Sequence, residues 1–248
     1  MDVFAVEGLL EFEPGDDIAA AISERVDLQP DDVVCVASTI VSKVEGRRAN
    51  MDDFEAGEQA GSIAERVSEE AGEEKDPRFA QAVIEESEEL LLEFPIMLAV
   101  THFGHITVNA GIDRSNVPDA DLLLLPEEPT ASAQRLHETL GVPVIVTDTS
   151  GRPFRHGQRG VALGWAGMPA ARDWRGEYDR TGKELEATVQ AVVDELAAAA
   201  NLVTGEGGGG TPVAVVRDFE FGAHDGSDDL FREEDEDLIR AALKEWSQ

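Results

Sequence analysis

The chain has 248 residues, with 52 Asp and Glu against 20 Lys and Arg, a formal net charge of −32 and a pI near 4.2. Hydrophobic residues make up 42%, enough for a folded core and too many for a disordered chain. The charge excludes nucleic-acid binding through a basic face.

Only Lys43, Lys75, Lys183 and Lys244 are lysines. The acids are spread over predicted helix faces and do not gather in one tail. That argues against an acidic interaction protein and for a surface suited to a salt-rich cytoplasm, as in a halophilic archaeon. No apolar stretch is long enough to span a membrane. The opening Met1-Asp2-Val3-Phe4 carries acid where a signal peptide carries base, so a cytoplasmic protein is expected. Cys35 is the only cysteine; it allows no intrachain disulfide and reads as an inert buried residue.

In chain order, residues 3–6 predict a first strand. Asp16 is a plausible N-cap for a helix with Ile18, Ile22 and Val26 on one face. The apolar run at 33–37 predicts a buried strand leading into Ser38-Thr39 and Lys43. Residues 51–93 hold fifteen acids and three bases and read as mostly helical, with a second helix starting at Pro77. Residues 95–101 predict a strand, 107–116 a strand end with a polar loop, and 122–125 another buried strand. A helix over 130–140 stops at Gly141. The β-branched run at 144–147 predicts an interior strand ending on Asp148-Thr149, after which Gly151 and Pro153 force a turn. Residues 152–183 carry seven bases against three acids, the one locally positive stretch, which suits an anionic ligand. A long alanine-rich helix is expected over 181–203, then a glycine loop, then a strand over 213–216. The tail from 218 to 237 has ten acids and one base and leads into a final helix from about Glu233.

Four pieces carry chemistry. Ser38-Thr39 with Lys43 can grip phosphate at a strand exit, or serve only as a cap and a surface lysine. Asn109-Ala110-Gly111-Ile112-Asp113-Arg114-Ser115-Asn116 can present oxygens to a cation, or form only Asx-turns. Asp148-Thr149 with Arg152 and Arg155 sets hard oxygens beside forked anion donors, the combination phosphoryl chemistry needs. The glycine run around Glu206 can form an anion nest or a flexible turn; no Gly-Lys-Ser/Thr follows it, so it is not a Walker A loop. Asp113, Asp148, Thr149 and Glu206 are all oxygen donors, which point to magnesium or manganese carried with a nucleotide. His102, His105, His137, His156 and His224 show no ligand spacing; His156 could contact a substrate phosphate or carboxylate, or be an ordinary loop histidine.

Together, Ser42-Lys43-Val44-Glu45-Gly46-Arg47, Lys75-Asp76-Pro77-Arg78, the 109–116 segment, Leu124-Leu125-Pro126, Asp148-Thr149-Ser150-Gly151-Arg152-Pro153-Phe154-Arg155 and Asp194-Glu195 resemble the coenzyme F-420:L-glutamate ligase family, over most of the chain. Family members carry a His-Gly pair just before Asn-Ala-Gly; Thr101-His102-Phe103-Gly104-His105 departs from it.

The resemblance implies an α+β fold with a mixed sheet of its own, neither Rossmann nor P-loop, in an intertwined homodimer. Residues 1–217 would be the catalytic domain, and 218–248 an acidic extension within the same unit. It implies a GTP-dependent ligase that adds L-glutamate to the lactyl phosphate side chain of a deazaflavin precursor, then a second by a γ-linkage. GDP and phosphate are released, with Mg2+ or Mn2+ (two divalent ions) and K+. GTP contacts would fall on Leu9, Leu10, Glu11, Phe12, Ser38, Thr39, Lys43, Asn116, Thr204, Gly205, Glu206, Gly207, Gly208, Gly209, Gly210 and Thr211. Metal ligands would be Asp113, Asp148, Thr149 and Glu206, and catalysis would use Asp148, Arg152 and Arg155. A metal-dependent phosphatase or nucleotide hydrolase using Asp148, and a nucleotide-binding module without chemistry, are the competing readings.

Overall fold

The computed structural model describes residues 1–71, 74–115 and 117–246. The chain forms two compact units: Met1–Val44 with Glu128–Leu230, and Glu45–Glu127 with Phe231–Gln248. Strands and helices are numbered in chain order through both.

The first unit is built on five strands: β1 (Asp2–Ala5), β2 (Val33–Ala37), β8 (Val144–Arg152), β9 (Arg155–Ala166) and β12 (Val213–Arg217). Their order is β1-β12-β2-β8-β9. Only the β2–β8 pair is parallel. In β2, Val33, Val34, Cys35 and Val36 are all buried, the mark of a strand covered on both faces. Alternation sends Val34, Val36, Val144 and Val146 to one face, under α1 (Ile18–Ser23), α2 (Ser38–Val44) and α5 (Pro129–Leu140). Val33, Cys35 and Ile145 go to the other, against α6 (Val192–Thr204). Burial pushes the Cys35 thiol up to about 12, so it is inert as expected.

The entry to β2 is fixed by Asp32, fully buried. Its carboxylate accepts Arg217 Nε at 2.9 Å, an Arg217 terminal nitrogen at 2.7 Å and the Gln29 amide at 2.8 Å. The Arg217 bonds hold it below the usual carboxylate range against the opposing effect of burial.

A bulge shapes β9. Val146 faces Gly164 but Thr147 faces Ala162, so Leu163 is an extra residue, and the side-chain parity of β9 flips there. That flip lets the strand meet a helix on each face. A Cβ at Gly164 would lie 2.3 Å from the Pro129 carbonyl carbon of α5, and one at Gly160 2.3 Å from the Ala197 carbonyl oxygen of α6. A small sheet, in the order β11 (Val189–Ala191), β10 (Ala171–Asp173), β13 (Asp225–Ser227), completes the unit.

The second unit pairs β3 (Arg48–Ala49) with β7 (Leu122–Leu123), and β4 (Ser87–Leu92) with β5 (Leu98–Thr101) and β6 (Ile106–Val108). The helices α3 (Glu58–Ala71) and α4 (Pro77–Glu85) pack a core of Ile63, Phe79, Val83, Met97 and Leu122. The last helix, α7 (Leu238–Trp246), is tied to β4 by Arg240 and Lys244, at 2.6 and 2.7 Å from Glu89. The architecture is therefore α+β with a mixed sheet, as expected.

Several local expectations are corrected. Asp17, not Asp16, caps α1, accepting the Ala20 amide; Asp16 instead accepts the Glu13 amide. Residues 87–92 are strand and not helix, because they pair with β5. The alanine-rich helix starts at Val192, not near Thr181. Upstream, the Asp179 carboxylate fastens the Thr181 and Lys183 amides into a turn, and Val189 to Ala191 pair with β10. The last helix begins at Leu238, where Asp237 accepts the first amides, later than Glu233. The stretch after Asp148 is not a loop: β8 runs on to Arg152 and turns only at Pro153-Phe154 into the long strand β9.

Candidate active site

Strand register decides which of the four chemical pieces meet. Ala37 at the end of β2 pairs with Thr147 of β8, and the two run parallel. Ser38-Thr39 therefore leaves the sheet at the end where β8, still paired with β9, carries Asp148-Thr149 past β2. β12 runs the other way and begins there: Val213 pairs with Val36, and the Ala37 amide donates to the Pro212 carbonyl at 2.8 Å. The glycine loop that precedes β12 is thus delivered to this end as well. β1 pairs antiparallel with β12, Ala5 against Ala214, and the Val6 amide bonds Val213 at 2.8 Å. Its exit carries Leu9, Leu10, Glu11 and Phe12 to the same place. Three of the four pieces, and the first-strand exit, meet at one end of one sheet.

Side-chain contacts join them in two pairs. Lys43, on α2 and 6% exposed, donates Nζ to the Glu11 carboxylate. Thr149 Oγ1 donates to Glu206 Oε2 at 3.4 Å, and the Asn201 amide donates to the other Glu206 oxygen at 2.5 Å. The loop's neck is closed by Thr211 Oγ1 on the Thr204 carbonyl at 3.2 Å. Gly205 and Gly210 have φ of 70° and 64°, conformations that favour glycine. Around Gly207 and Gly208 the space is open. Ser38 and Phe12 are buried, while Leu10 is exposed.

Strand parity separates the two hard donors of β8. Asp148 shares parity with Val144 and Val146, on the α1, α2 and α5 side. Thr149 shares it with Ile145 and meets Glu206 on the α6 side. Neighbouring strand residues point to opposite faces.

Asp113 belongs to the second unit; its Oδ1 accepts the Ser115 amide at 2.7 Å and the Ser115 hydroxyl at 2.8 Å. Asn116 lies outside the described residues. Among the described residues, no three or more His, Cys, Asp or Glu gather as a metal site. The donors at the sheet end are hard oxygens, with carboxylates from Asp148 and Glu206 and a hydroxyl from Thr149. On either face, Asp148 alone or Glu206 with Thr149, these donors suit magnesium or manganese, which take one or two carboxylates and leave other positions to phosphate and water.

Arg152 and Arg155 are cross-strand partners at the far end of the β8–β9 hairpin. Arg152 donates to the Gly157 carbonyl at 3.4 Å. His156 is exposed on the same hairpin. His102 is on the surface, its Nε2 3.0 Å from the Glu85 carbonyl. His105 is buried, its Nε2 without a hydrogen-bond partner among the described residues, and burial pushes its pKa down to about 4.

Asp194 escaped the functional reading, although it stood in a quoted motif. From α6 its carboxylate accepts the Ala162 amide at 2.9 Å, at the bulge. Asn201, which orients Glu206, was also missed. A polar residue five positions before the loop acid, on a helix otherwise rich in alanine, was the signal available.

The family model for F420-0:gamma-glutamyl ligase matches residues 8–218. A protein of Natronomonas pharaonis named coenzyme F420:L-glutamate ligase is 68% identical, over 100% of this chain and 98% of its own length. One of the same name from Haloarcula marismortui is 66% identical over 100% of this chain and 98% of its own. Another from Archaeoglobus fulgidus is 46% identical over 98% of each. Three lines thus agree on the same assignment: the quoted motifs, the family model and full-length relatives from halophilic archaea. This chain belongs to the F420-0:gamma-glutamyl ligase family.

Proposed function

We propose that this protein is a GTP-dependent ligase that adds L-glutamate to the lactyl phosphate side chain of the coenzyme F-420 precursor. The convergence of three oxygen- or anion-binding segments at one sheet end carries the reading. A carboxylate is a poor electrophile. The GTP γ-phosphoryl group passes to the lactyl carboxylate, giving an acyl phosphate and GDP. The glutamate amine attacks the acyl carbon, loses a proton and expels phosphate. A second glutamate adds by the same chemistry through a γ-linkage.

The residues divide the work. Lys43, Ser38, Thr39 and the loop from Thr204 to Thr211 bind the nucleotide phosphates, with the segment Leu9-Leu10-Glu11-Phe12 beside them. Lys43 exchanges Glu11 for phosphate when GTP arrives. Thr149 and Glu206 would hold one divalent ion and Asp148 another. By the family resemblance, Asp113 would be a further metal ligand and Asn116 a nucleotide contact. Bound Mg2+ or Mn2+ would supply charge neutralisation of the transferred group. The enzyme would use K+ and work as a homodimer. Arg152 and Arg155 bind the anionic substrate.

The test is incubation with the deazaflavin precursor, GTP, L-glutamate, Mn2+ and K+, followed by product mass. A gain of one or two glutamyl residues with matching GDP release is expected. Phosphate release that needs no glutamate would replace the ligase with a nucleotide hydrolase or phosphatase.

A further inference from the structure

The tip of the β8–β9 hairpin breaks three local rules at once. Arg152 and Arg155 sit directly opposite each other across the two strands, a like-charge pairing that sheets disfavour. Between them, Pro153 is followed by Phe154 at φ 67°. A proline followed by a left-handed residue is a pattern that ordinarily takes glycine at the second position. Phe154 is also fully exposed, at 102% of its reference area, so its ring contributes nothing to the core. His156 and Arg159 add to the basic character of the same exposed segment. In a chain of net charge −32, an exposed aromatic ring between paired arginines stands apart from the rest of the surface, and such clustered exceptions mark functional sites.

From Asp148 the strand continues for four residues to Arg152. At about 3.3 Å per residue that is roughly 13 Å of extended chain, beyond the reach of an arginine side chain back to Asp148. The order along the hairpin is therefore the Asp148 carboxylate, then paired guanidinium groups, then an exposed aromatic ring. The substrate proposed above has the same order: a reacting carboxylate, a phosphodiester, then a fused aromatic ring.

We propose that the hairpin tip is the recognition site for the deazaflavin substrate. Arg152 and Arg155 bracket its phosphodiester, and the Phe154 ring stacks on the deazaflavin. An exposed aromatic is a stacking platform for any flat heterocycle, and guanidinium groups complement phosphate. At molar salt the Debye length falls to about 3 Å, so recognition depends on such contacts and not on long-range attraction. The assignment rests on the ligase reading.

The discriminating variant is Phe154→Gly, since glycine suits the left-handed position and folding should not suffer. Binding of the deazaflavin precursor to the folded protein without GTP or glutamate, followed by fluorescence anisotropy, should weaken about tenfold. KM for that substrate should rise alike, with KM for GTP and glutamate unchanged. Phe154→Trp should restore affinity, and Arg152→Ala or Arg155→Ala should weaken it without moving the GTP constant. Wild-type affinity and KM in Phe154→Gly would overturn the assignment while leaving the ligase reading intact. So would a change of oligomeric state at constant KM, which would make the tip a self-association contact. If wild-type protein forms no glutamylated product, the ligase reading itself fails.

Discussion

Asp194→Ala tests how the sheet end is held in shape. The bulge at Leu163 frees the Ala162 amide from the β8–β9 ladder, and Asp194 Oδ1 takes it at 2.9 Å. Truncation leaves that buried N–H without an acceptor, which costs about 1–3 kcal/mol. A central value of about 2 kcal/mol lowers the melting temperature of a chain this size by about 4–8 °C. Asp194→Asn keeps an acceptor and removes the charge. Burial raises the Asp194 pKa, against the opposing pull of the Ala162 amide and Arg159. A raised folded pKa means that ionisation above the unfolded value costs stability. At neutral pH the Asn variant should therefore be as stable as wild type or more so. The bulge lies opposite Val146 and Thr147, immediately before Asp148. The Ala variant should also lose kcat, and Asn should restore it. Urea melts at fixed molar KCl, alongside glutamate-dependent GDP release, give both readouts. An Ala variant with the wild-type midpoint and wild-type kcat would show that the bulge stands without the carboxylate.

Other outcomes follow from the same structure. Asp148→Asn should abolish ligation with the fold retained, while Thr149→Val and Glu206→Gln should weaken Mn2+ binding in calorimetry and leave residual turnover. Normal Mn2+ binding and turnover in Asp148→Asn would refute its role. The net charge of −32 predicts a melting temperature and activity that climb steeply from dilute buffer to molar KCl; a flat response would refute salt adaptation. His105, with a pKa pushed down to about 4 by burial, stays neutral in the folded protein while the unfolded residue protonates near 6.5. Its contribution is complete above about pH 6.5 and is lost as pH falls towards 4, about 3 kcal/mol in all. His105→Phe should flatten the wild-type pH dependence of stability by that amount; parallel curves would refute it.

The fold was legible where local signals agreed. The run at 33–37 is a strand because its β-branched residues leave nothing polar to expose, and the α5 stop at Gly141 is a left-handed C-cap. It was not legible where pairing overrode composition. Residues 155–160 are polar or glycine and carry no strand signal, yet the hairpin ladder holds them extended. Residues 87–92 read as helix because acids and leucines suit either form, and only β5 decides between them. Alanine content pointed to a helix over 181–203 but could not locate its start, which a distant strand pairing sets at Val192.

The chemistry of the site was legible in residue type, and its assembly was not. Thr149 and Glu206 are 57 positions apart, and their contact depends on α6 ending beside the part of β8 that runs just past the end of β2. Asp148 and Thr149 read in sequence as two donors side by side. A regular strand places them on opposite faces, Thr149 with Glu206 under the α6 layer and Asp148 towards α2. If both bind divalent ions, one ion on each face is the arrangement that suits the β8–β9 ladder, which pairs Asp148 with Val161 and Thr149 with Gly160. The adjacency of the two donors thus becomes, once extended, a structural reason for the two separate ions that the family resemblance implies. It also gives the milder effect expected of Thr149→Val a structural cause: that change strips one face of the sheet end and leaves Asp148 in place on the other.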